Sequence, residues 1–281
     1  MNGITRDREF ITRKYDEMWG AIHQHVCSKA DLPGARLPEL LRGTWEFSHA
    51  LAAQYMQENW PQKFYLAGKT FGLSALAQEF IWRDIITDIL LKSTGAEVDV
   101  IAELGAGWSA NIFNLWIRGG PRGTRYYGCE HVEAGRSAAK LLAESDPELA
   151  FQAPVFDWDD PNFDFLPRSS GGMLVFSCHS IEQIPNLDVA TFEKLIAITQ
   201  NYPTLVGVHI EPVGWQYPEL SNDQSLTKKL KEYAYEKNYN TNFRAVMDDL
   251  VAQNQIEVQR VVVDCFGAPR NPGTVVIWRR L

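Results

Sequence analysis

The sequence has no CxxC pair, no basic tract, no low-complexity stretch and no apolar run of bilayer-spanning length. Each absence removes a class of function. The four cysteines, Cys27, Cys129, Cys178 and Cys265, stand far apart, which excludes a zinc ribbon and a vicinal redox pair. They read as reduced thiols of a cytoplasmic protein. Lysine and arginine number 27 against 35 acids, a formal net charge of -8. Such a chain is a poor phosphate-backbone binder, so nucleic acid is not an expected partner. Without a span of about 20 apolar residues, no membrane partner is expected either. The start, MNGITRDREF, has no apolar core, so no secretory signal is expected. There is no HExxH or comparable ligand spacing, and no metal is expected.

What is present is an ordinary globular composition, 45% apolar and 22% charged over 281 residues. Two rhythms divide it. Residues 1–95 show no clear strand alternation; Trp45, Phe47, Leu51 and Tyr55 have loose helical spacing, and Phe80 to Leu91 reads as an amphipathic helix. This part reads as a helical extension cut by Pro33, Pro38 and Pro61. From residue 96 onward, short apolar strands alternate with helices. Strands are predicted at 98–104, 125–130, 151–156, 172–178 and 204–210. Helices are predicted at 108–118, 133–144, 188–200, 223–237 and 242–253. Two closing strands at 256–264 and 273–279 have only Gly267-Ala-Pro-Arg-Asn-Pro-Gly273 and flanking residues between them. The predicted fold is α/β: a doubly wound, mostly parallel seven-stranded sheet with a C-terminal antiparallel hairpin, plus an N-terminal helical extension.

The most informative stretch is Val98 to Asn111, VDVIAELGAGWSAN. A strand ends in Glu103, then Gly105-Ala106-Gly107 leads into a helix. Glycines at such a turn let the backbone approach a ligand, and the helix start offers unpaired N–H groups. Glu130 ends the second strand and Asp157 follows the third. In an open α/β sheet, ligands bind outside the carboxyl ends of the strands, so these acids converge on one crevice. Glu130 is placed to accept from ribose hydroxyls. Asp157 is placed to accept from an adenine amino group, and Trp158 to pack on its ring. Glu103 faces the turn, where it can hold a cationic amine or order the loop.

With Glu103-Leu-Gly105-Ala-Gly107, Glu130, Asp157 and a fourth strand ending in Phe176-Ser177-Cys178-His179-Ser180, the chain resembles the class I S-adenosylmethionine-dependent methyltransferases. The resemblance spans about residues 98–281, and the closing hairpin fits that family's sheet. It implies S-adenosylmethionine as cofactor, held by Glu103, Gly105, Ala106, Gly107, Glu130, Asp157, Trp158 and Ser177. One departure is Ser109, where the family's loop usually has a third glycine. Gly105-Ala-Gly107-Trp-Ser-Ala110 also satisfies GxGxx(G/A), so a dinucleotide enzyme stays open. That reading leaves Glu103 and Asp157 unexplained. The resemblance divides the chain into a helical cap or extension, 1–95, and an S-adenosylmethionine-binding methyltransferase domain, 96–281.

On the acceptor side, strand ends carry His179, Glu182, His209 and Glu211. An alcohol acceptor must lose a proton, and a histidine suits that task. His179 is the expected base, oriented by Glu182 or assisted by His209. The expected reaction is methyl transfer to a small molecule, a hydroxyl first and an amine or amide second. A binding protein on the same fold stays open, as does a homodimer. Trp215 is the expected aromatic of the acceptor pocket. Ala67-Gly68-Lys69-Thr70 resembles the tail of a P-loop but lacks the first glycine, where Lys63 stands; a helix cap is the expectation. His23 and His25 read as surface residues.

Overall fold

The computed structural model describes residues 8–30, 34–55, 63–95 and 97–281. Pro33, Pro61 and the first seven residues, on which some expectations fall, lie outside the described residues.

The N-terminal part holds helices α1 (Arg8–Ala30) and α2 (Leu37–Tyr55), strands β1 (Lys63–Leu66) and β2 (Lys69–Gly72), and helix α3 (Ala75–Ser93). Then follow β3 (Val98–Leu104), α4 (Ala110–Ile117), β4 (Arg125–Cys129), α5 (Glu133–Glu144), β5 (Phe151–Gln152), β6 (Gly172–Cys178), α6 (Val189–Ile198) and β7 (Leu205–Glu211). The chain closes with α7 (Gln224–Glu236), α8 (Phe243–Ala252), β8 (Ile256–Ala268) and β9 (Asn271–Arg280).

The nine strands among the described residues form one mixed sheet in the order β2-β1-β8-β9-β7-β6-β3-β4-β5. Pairings β3–β4, β3–β6, β4–β5 and β6–β7 are parallel; β7–β9, β8–β9, β1–β8 and β1–β2 are antiparallel. The expectation of seven mostly parallel strands is therefore corrected. The closing hairpin is present, and the N-terminal part adds a second hairpin beyond it. Ala67 and Gly68, with φ of 46° and 84°, make its two-residue turn, and Leu66 pairs with Lys69. Positive φ at both turn positions matches the twist of the flanking strands. AGKT is thus a hairpin turn, not a helix cap.

Successive residues of the central strands point to opposite faces. Ile101, Leu174, Phe176, Val208 and Ile210 join one core cluster, together with α1 to α5 side chains such as Ile22, Leu41, Ile86, Phe113 and Leu142. Val100, Ala102, Leu104, Met173 and Val175 join a second, with Phe192 and Leu195 of α6 and Phe243 and Met247 of α8. Burial on both faces explains why these strands read as unbroken apolar runs. Strand β5 is only two residues long, against the six predicted. Pro154 follows it, and a proline has no N–H to continue the ladder. His25 is half-buried, its ring stacked on Phe47 at 4.3 Å between α1 and α2, so it is not a plain surface residue.

Candidate functional site

A cavity of about 570 Å³ opens at the carboxyl ends of β3, β4 and β6. Glu103, Gly105, Ala106, Gly107, Glu130, Asp157, Trp158, His179 and Glu182 all line it. Among the described lining residues neither Ser177 nor His209 appears.

The glycine turn forms one wall. Gly105 and Gly107 have φ of 74° and 56°, in the left-handed region where a side chain is strained. A Cβ on Gly105 would stand 2.4 Å from Ser180 Oγ. The Gly105 and Ala106 N–H groups both donate to the Cys129 carbonyl, at 2.8 and 2.9 Å, which ties the turn to β4. Glu130 completes the tie. One of its oxygens accepts from Gly107 N–H at 2.8 Å, and the other from Val132 N–H at 3.0 Å. His131 Nδ1 lies 3.0 Å from that second oxygen. Each carboxylate oxygen has two lone-pair directions, so Glu130 keeps acceptor capacity toward the cavity.

Glu103 is buried, and Oε1 accepts from Asn111 Nδ2 at 2.5 Å. Oε2 has no partner. Burial raises the carboxyl to about 8, against the opposing pull of Asn111 and Arg83. A buried carboxylate oxygen without a partner costs free energy, and a bound donor would offset that cost. The Trp158 indole is nearly buried. Its N–H donates to Ser180 Oγ at 2.9 Å, and its ring meets Phe156 edge-on at 5.1 Å.

The opposite wall starts at the tip of β6. His179 has φ 52°, an uncommon conformation for a non-glycine residue. Its N–H donates to the Ile210 carbonyl at 3.0 Å, and its ring lies 4.7 Å from that of Trp82 on α3. Nδ1 stands 3.3 Å from Glu182 Oε2, while Nε2 has no partner. Burial lowers the affinity of the ring for a proton. The charge and hydrogen bond of Glu182 and the charge of Glu211 outweigh it, and the net shift is upward. Glu182 is itself steadied by Asn271 Nδ2 at 2.8 Å and Gln183 Nε2 at 2.7 Å.

His209 and Ser177 belong to a different construction. Both are fully buried. The Trp278 indole N–H can only donate, and it reaches His209 Nε2 at 2.9 Å. That fixes the proton on Nδ1, which donates to Ser177 Oγ at 2.9 Å. Ser177 in turn donates to Glu211 Oε1 at 2.7 Å. Burial lowers His209 to about 3, so its ring is neutral. Glu211 also accepts the N–H groups of Ser180, Ile181 and Glu182, each at 3.2 Å. The chain of bonds runs from the closing hairpin to the one-turn helix at 181–183. It holds the segment bearing His179 and Glu182 and leaves no nitrogen of His209 for a substrate. The expected catalytic role of His209 and ligand role of Ser177 are corrected accordingly. Trp215 also lies away from the cavity, in a small cluster with Leu230 and Ala234.

Sequence reasoning gave the N-terminal part as a cap or extension but named none of its residues that reach the cavity. Ile11, Thr12, Tyr15 and Trp19 of α1 line the cavity, as does Arg83 of α3. Ile11, Tyr15 and Trp19 recur every four residues, the one signal that marks a common helix face. Trp19 covers the turn itself: a Cβ on Gly107 would lie 2.9 Å from its ring. Among the described residues, no group of three or more His, Cys, Asp or Glu is arranged to hold a metal ion, and no helix is long and apolar enough to cross a membrane.

No protein-family model matches the sequence, and no curated protein matches it. Solved structures do resemble it. One is a geranyl diphosphate C-methyltransferase from Streptomyces coelicolor A3(2), in complex with Mg2+, geranyl diphosphate and S-adenosyl-L-homocysteine. It is 13% identical with a TM-score of 0.48, covering 73% of this chain and 81% of that one. A second is an O-methyltransferase from Bacillus cereus, 13% identical, TM-score 0.45, covering 72% and 81%. A third, from Bordetella parapertussis, is described as a possible exported protein; it is 14% identical, TM-score 0.45, covering 98% and 99%. These are distant likenesses.

Proposed function

We propose that the protein is an S-adenosylmethionine-dependent methyltransferase acting on a small-molecule acceptor. One observation carries the reading: a single cavity joins the glycine turn, three strand-end acids and the His179–Glu182 pair. The residues fit the cofactor. Glu103 Oε2 is a buried acceptor with no partner, suited to an ammonium group. At Gly105 and Gly107 the absent side chains let Ser180 and the Trp19 ring close on the turn that forms this wall. Glu130 retains lone pairs for ribose hydroxyls, and Asp157 stands beyond it at the wall. Bound there, the cofactor supplies an electrophilic methyl group on a sulfonium.

Methyl transfer from a sulfonium needs alignment and exclusion of water. α1 covers the turn with Trp19, which serves the second need. A hydroxyl acceptor needs a base. His179 has Nδ1 beside Glu182, and its Nε2 is buried with no partner, so no protein group takes up its lone pair. Glu182 is its positioning residue. An amine acceptor is the second reading, favoured by the carboxylates of Glu182 and Asp159 on the cavity wall. The four cysteines are unpaired thiols, in keeping with a cytoplasmic protein. The extension at 1–95 acts as a cap on the cofactor domain at 96–281.

Calorimetry with S-adenosylmethionine, S-adenosylhomocysteine and NAD tests the cofactor. Binding of NAD alone would overturn the reading. Turnover against panels of hydroxyl and amine acceptors then separates the two acceptor classes. His179→Ala should abolish transfer to a hydroxyl while leaving S-adenosylhomocysteine affinity intact.

A further inference from the structure

We infer that Arg83, carried by α3, is a positioning residue that aims Glu103 into the cavity by holding the side-chain amide of Asn111. The inference rests on the cofactor reading above.

Arg83 is anchored first on its own helix. Its Nε lies 2.7 Å from Glu79 Oε1, four residues earlier, and Nη2 shares that oxygen at 2.7 Å. The guanidinium is planar, so two bonds on one edge fix the direction of the third nitrogen. That nitrogen, Nη1, donates to Asn111 Oδ1. An amide has one acceptor end and one donor end. With the oxygen committed to a cation, the NH2 group must turn the other way, where it donates to Glu103 Oε1. The Glu103 carboxylate is thus held by one oxygen. The other, Oε2, is left buried and without a partner, on a residue that lines the cavity.

The three residues come from three elements. Glu103 ends β3, Asn111 sits in the first turn of α4 and Arg83 reaches in from α3. α3 is fixed to α4 independently of this chain of bonds. Asn114 Nδ2 donates to the Arg83 carbonyl at 3.1 Å and to Thr87 Oγ1 at 2.7 Å. Were Arg83 removed, Asn111 would have no cation on its oxygen and its amide could flip. A flipped amide would set its own oxygen against Glu103, two acceptors facing each other. The N-terminal part would in this way set the receptor for the ammonium end of a ligand whose adenosine is held elsewhere.

The test uses the full chain and two probes that differ only at that end. S-adenosylhomocysteine carries the α-amino acid group; 5′-methylthioadenosine carries the same adenosine and sulfur without it. Calorimetry is run on wild type, Arg83→Met, Arg83→Lys, Asn111→Ala and the double variant Arg83→Met/Asn111→Ala. In Arg83→Met, affinity for S-adenosylhomocysteine should fall about tenfold, while that for methylthioadenosine stays within about twofold. Arg83→Lys, which keeps a cationic donor, should recover most of the loss. Asn111→Ala should show the same selectivity, and the double variant should lose no more than Asn111→Ala alone, since the two act through one chain of bonds. Equal losses for both probes would overturn the inference, because a general loosening of α3 does not select between them. So would no loss at all, or losses that add in the double variant. If wild type binds neither probe, the cofactor reading fails instead, and the two failures stay distinguishable.

Discussion

Replacing Glu103 by glutamine should weaken binding while lowering stability at acid pH and raising it at alkaline pH, a dependence set by one buried carboxyl. Glutamine is nearly isosteric and keeps an acceptor for Asn111 Nδ2, but it cannot carry charge. In the folded protein burial lifts Glu103 to about 8, against an ordinary 4.5. A carboxyl that binds its proton more tightly when folded contributes stability that is complete below about 4.5. That contribution is lost as pH rises through about 8. At about 1.36 kcal/mol per tenfold in proton affinity, the full interval corresponds to roughly 5 kcal/mol. Against this, the glutamine amide places an N–H2 where Oε2 has no partner, a cost of about 2 kcal/mol. Glu103→Gln should therefore be about 3 kcal/mol more stable than wild type at pH 9 and about 1 kcal/mol less stable at pH 5. Urea unfolding at pH 5, 7 and 9, followed by far-ultraviolet dichroism, reads both values. In the same preparations, S-adenosylhomocysteine affinity should fall about ten- to hundredfold, the loss of one charge-assisted hydrogen bond. A stability difference that is the same at pH 5 and pH 9 would overturn this expectation. It would mean that the carboxyl is not held protonated by its surroundings.

Gly105→Ala combines a left-handed φ of 74° with a Cβ 2.4 Å from Ser180 Oγ. It should cost about 1–2 kcal/mol from the backbone alone, and calorimetry should show S-adenosylhomocysteine affinity reduced at least about tenfold. Asp264 sits on a bulge of β8 at φ 46°, is buried with both carboxylate oxygens unpartnered, and is raised by burial to about 6. Its contribution is lost as pH rises from about 4 through 6, so Asp264→Asn, which tolerates that φ, should be more stable above pH 7 by up to about 3 kcal/mol in urea unfolding. His209→Ala should lower stability by about 2–4 kcal/mol through the lost hydrogen bonds and the cavity it leaves. S-adenosylhomocysteine affinity should stay within about threefold in that variant, because the ring does not reach the site. With a hydroxyl acceptor, the acid limb of the pH–kcat/KM profile should lie above 6.5, since the surroundings raise His179. Glu182→Gln, by removing the largest upward influence, should shift that limb to lower pH.

The cofactor side was legible in the sequence for a physical reason. Strand ends of a parallel sheet share one rim, so Glu103, Glu130 and Asp157 had to gather wherever those strands ended. The glycine turn needed only the local chain: positive φ at 105 and 107 is a property glycine makes cheap. The closing hairpin followed from two strands with no helix between them. The second hairpin, β1–β2, gave no such signal. Its strands are four residues each, β2 is wholly exposed, and short exposed strands carry no apolar alternation.

What the sequence could not assign was which polar residue points where. His179 follows the last residue of β6 and His209 stands two residues before the end of β7, and their types are identical; the packing of Trp278 across Gly207 helps to separate them. A Cβ on Gly207 would stand 2.0 Å from that indole, so the glycine admits the ring, and the ring takes the nitrogen of His209 that a substrate would need. The same holds for the cap. Periodicity marks a helix face, but whether α1 lays Trp19 on Gly107, or α3 sends Arg83 to Asn111, depends on contacts between residues far apart in the chain. The sequence alone determined the strand–turn–helix frame and its rim of acids, because these follow from local geometry. Tertiary structure alone decided which of the remaining groups are consumed in holding the frame and which are left without a partner.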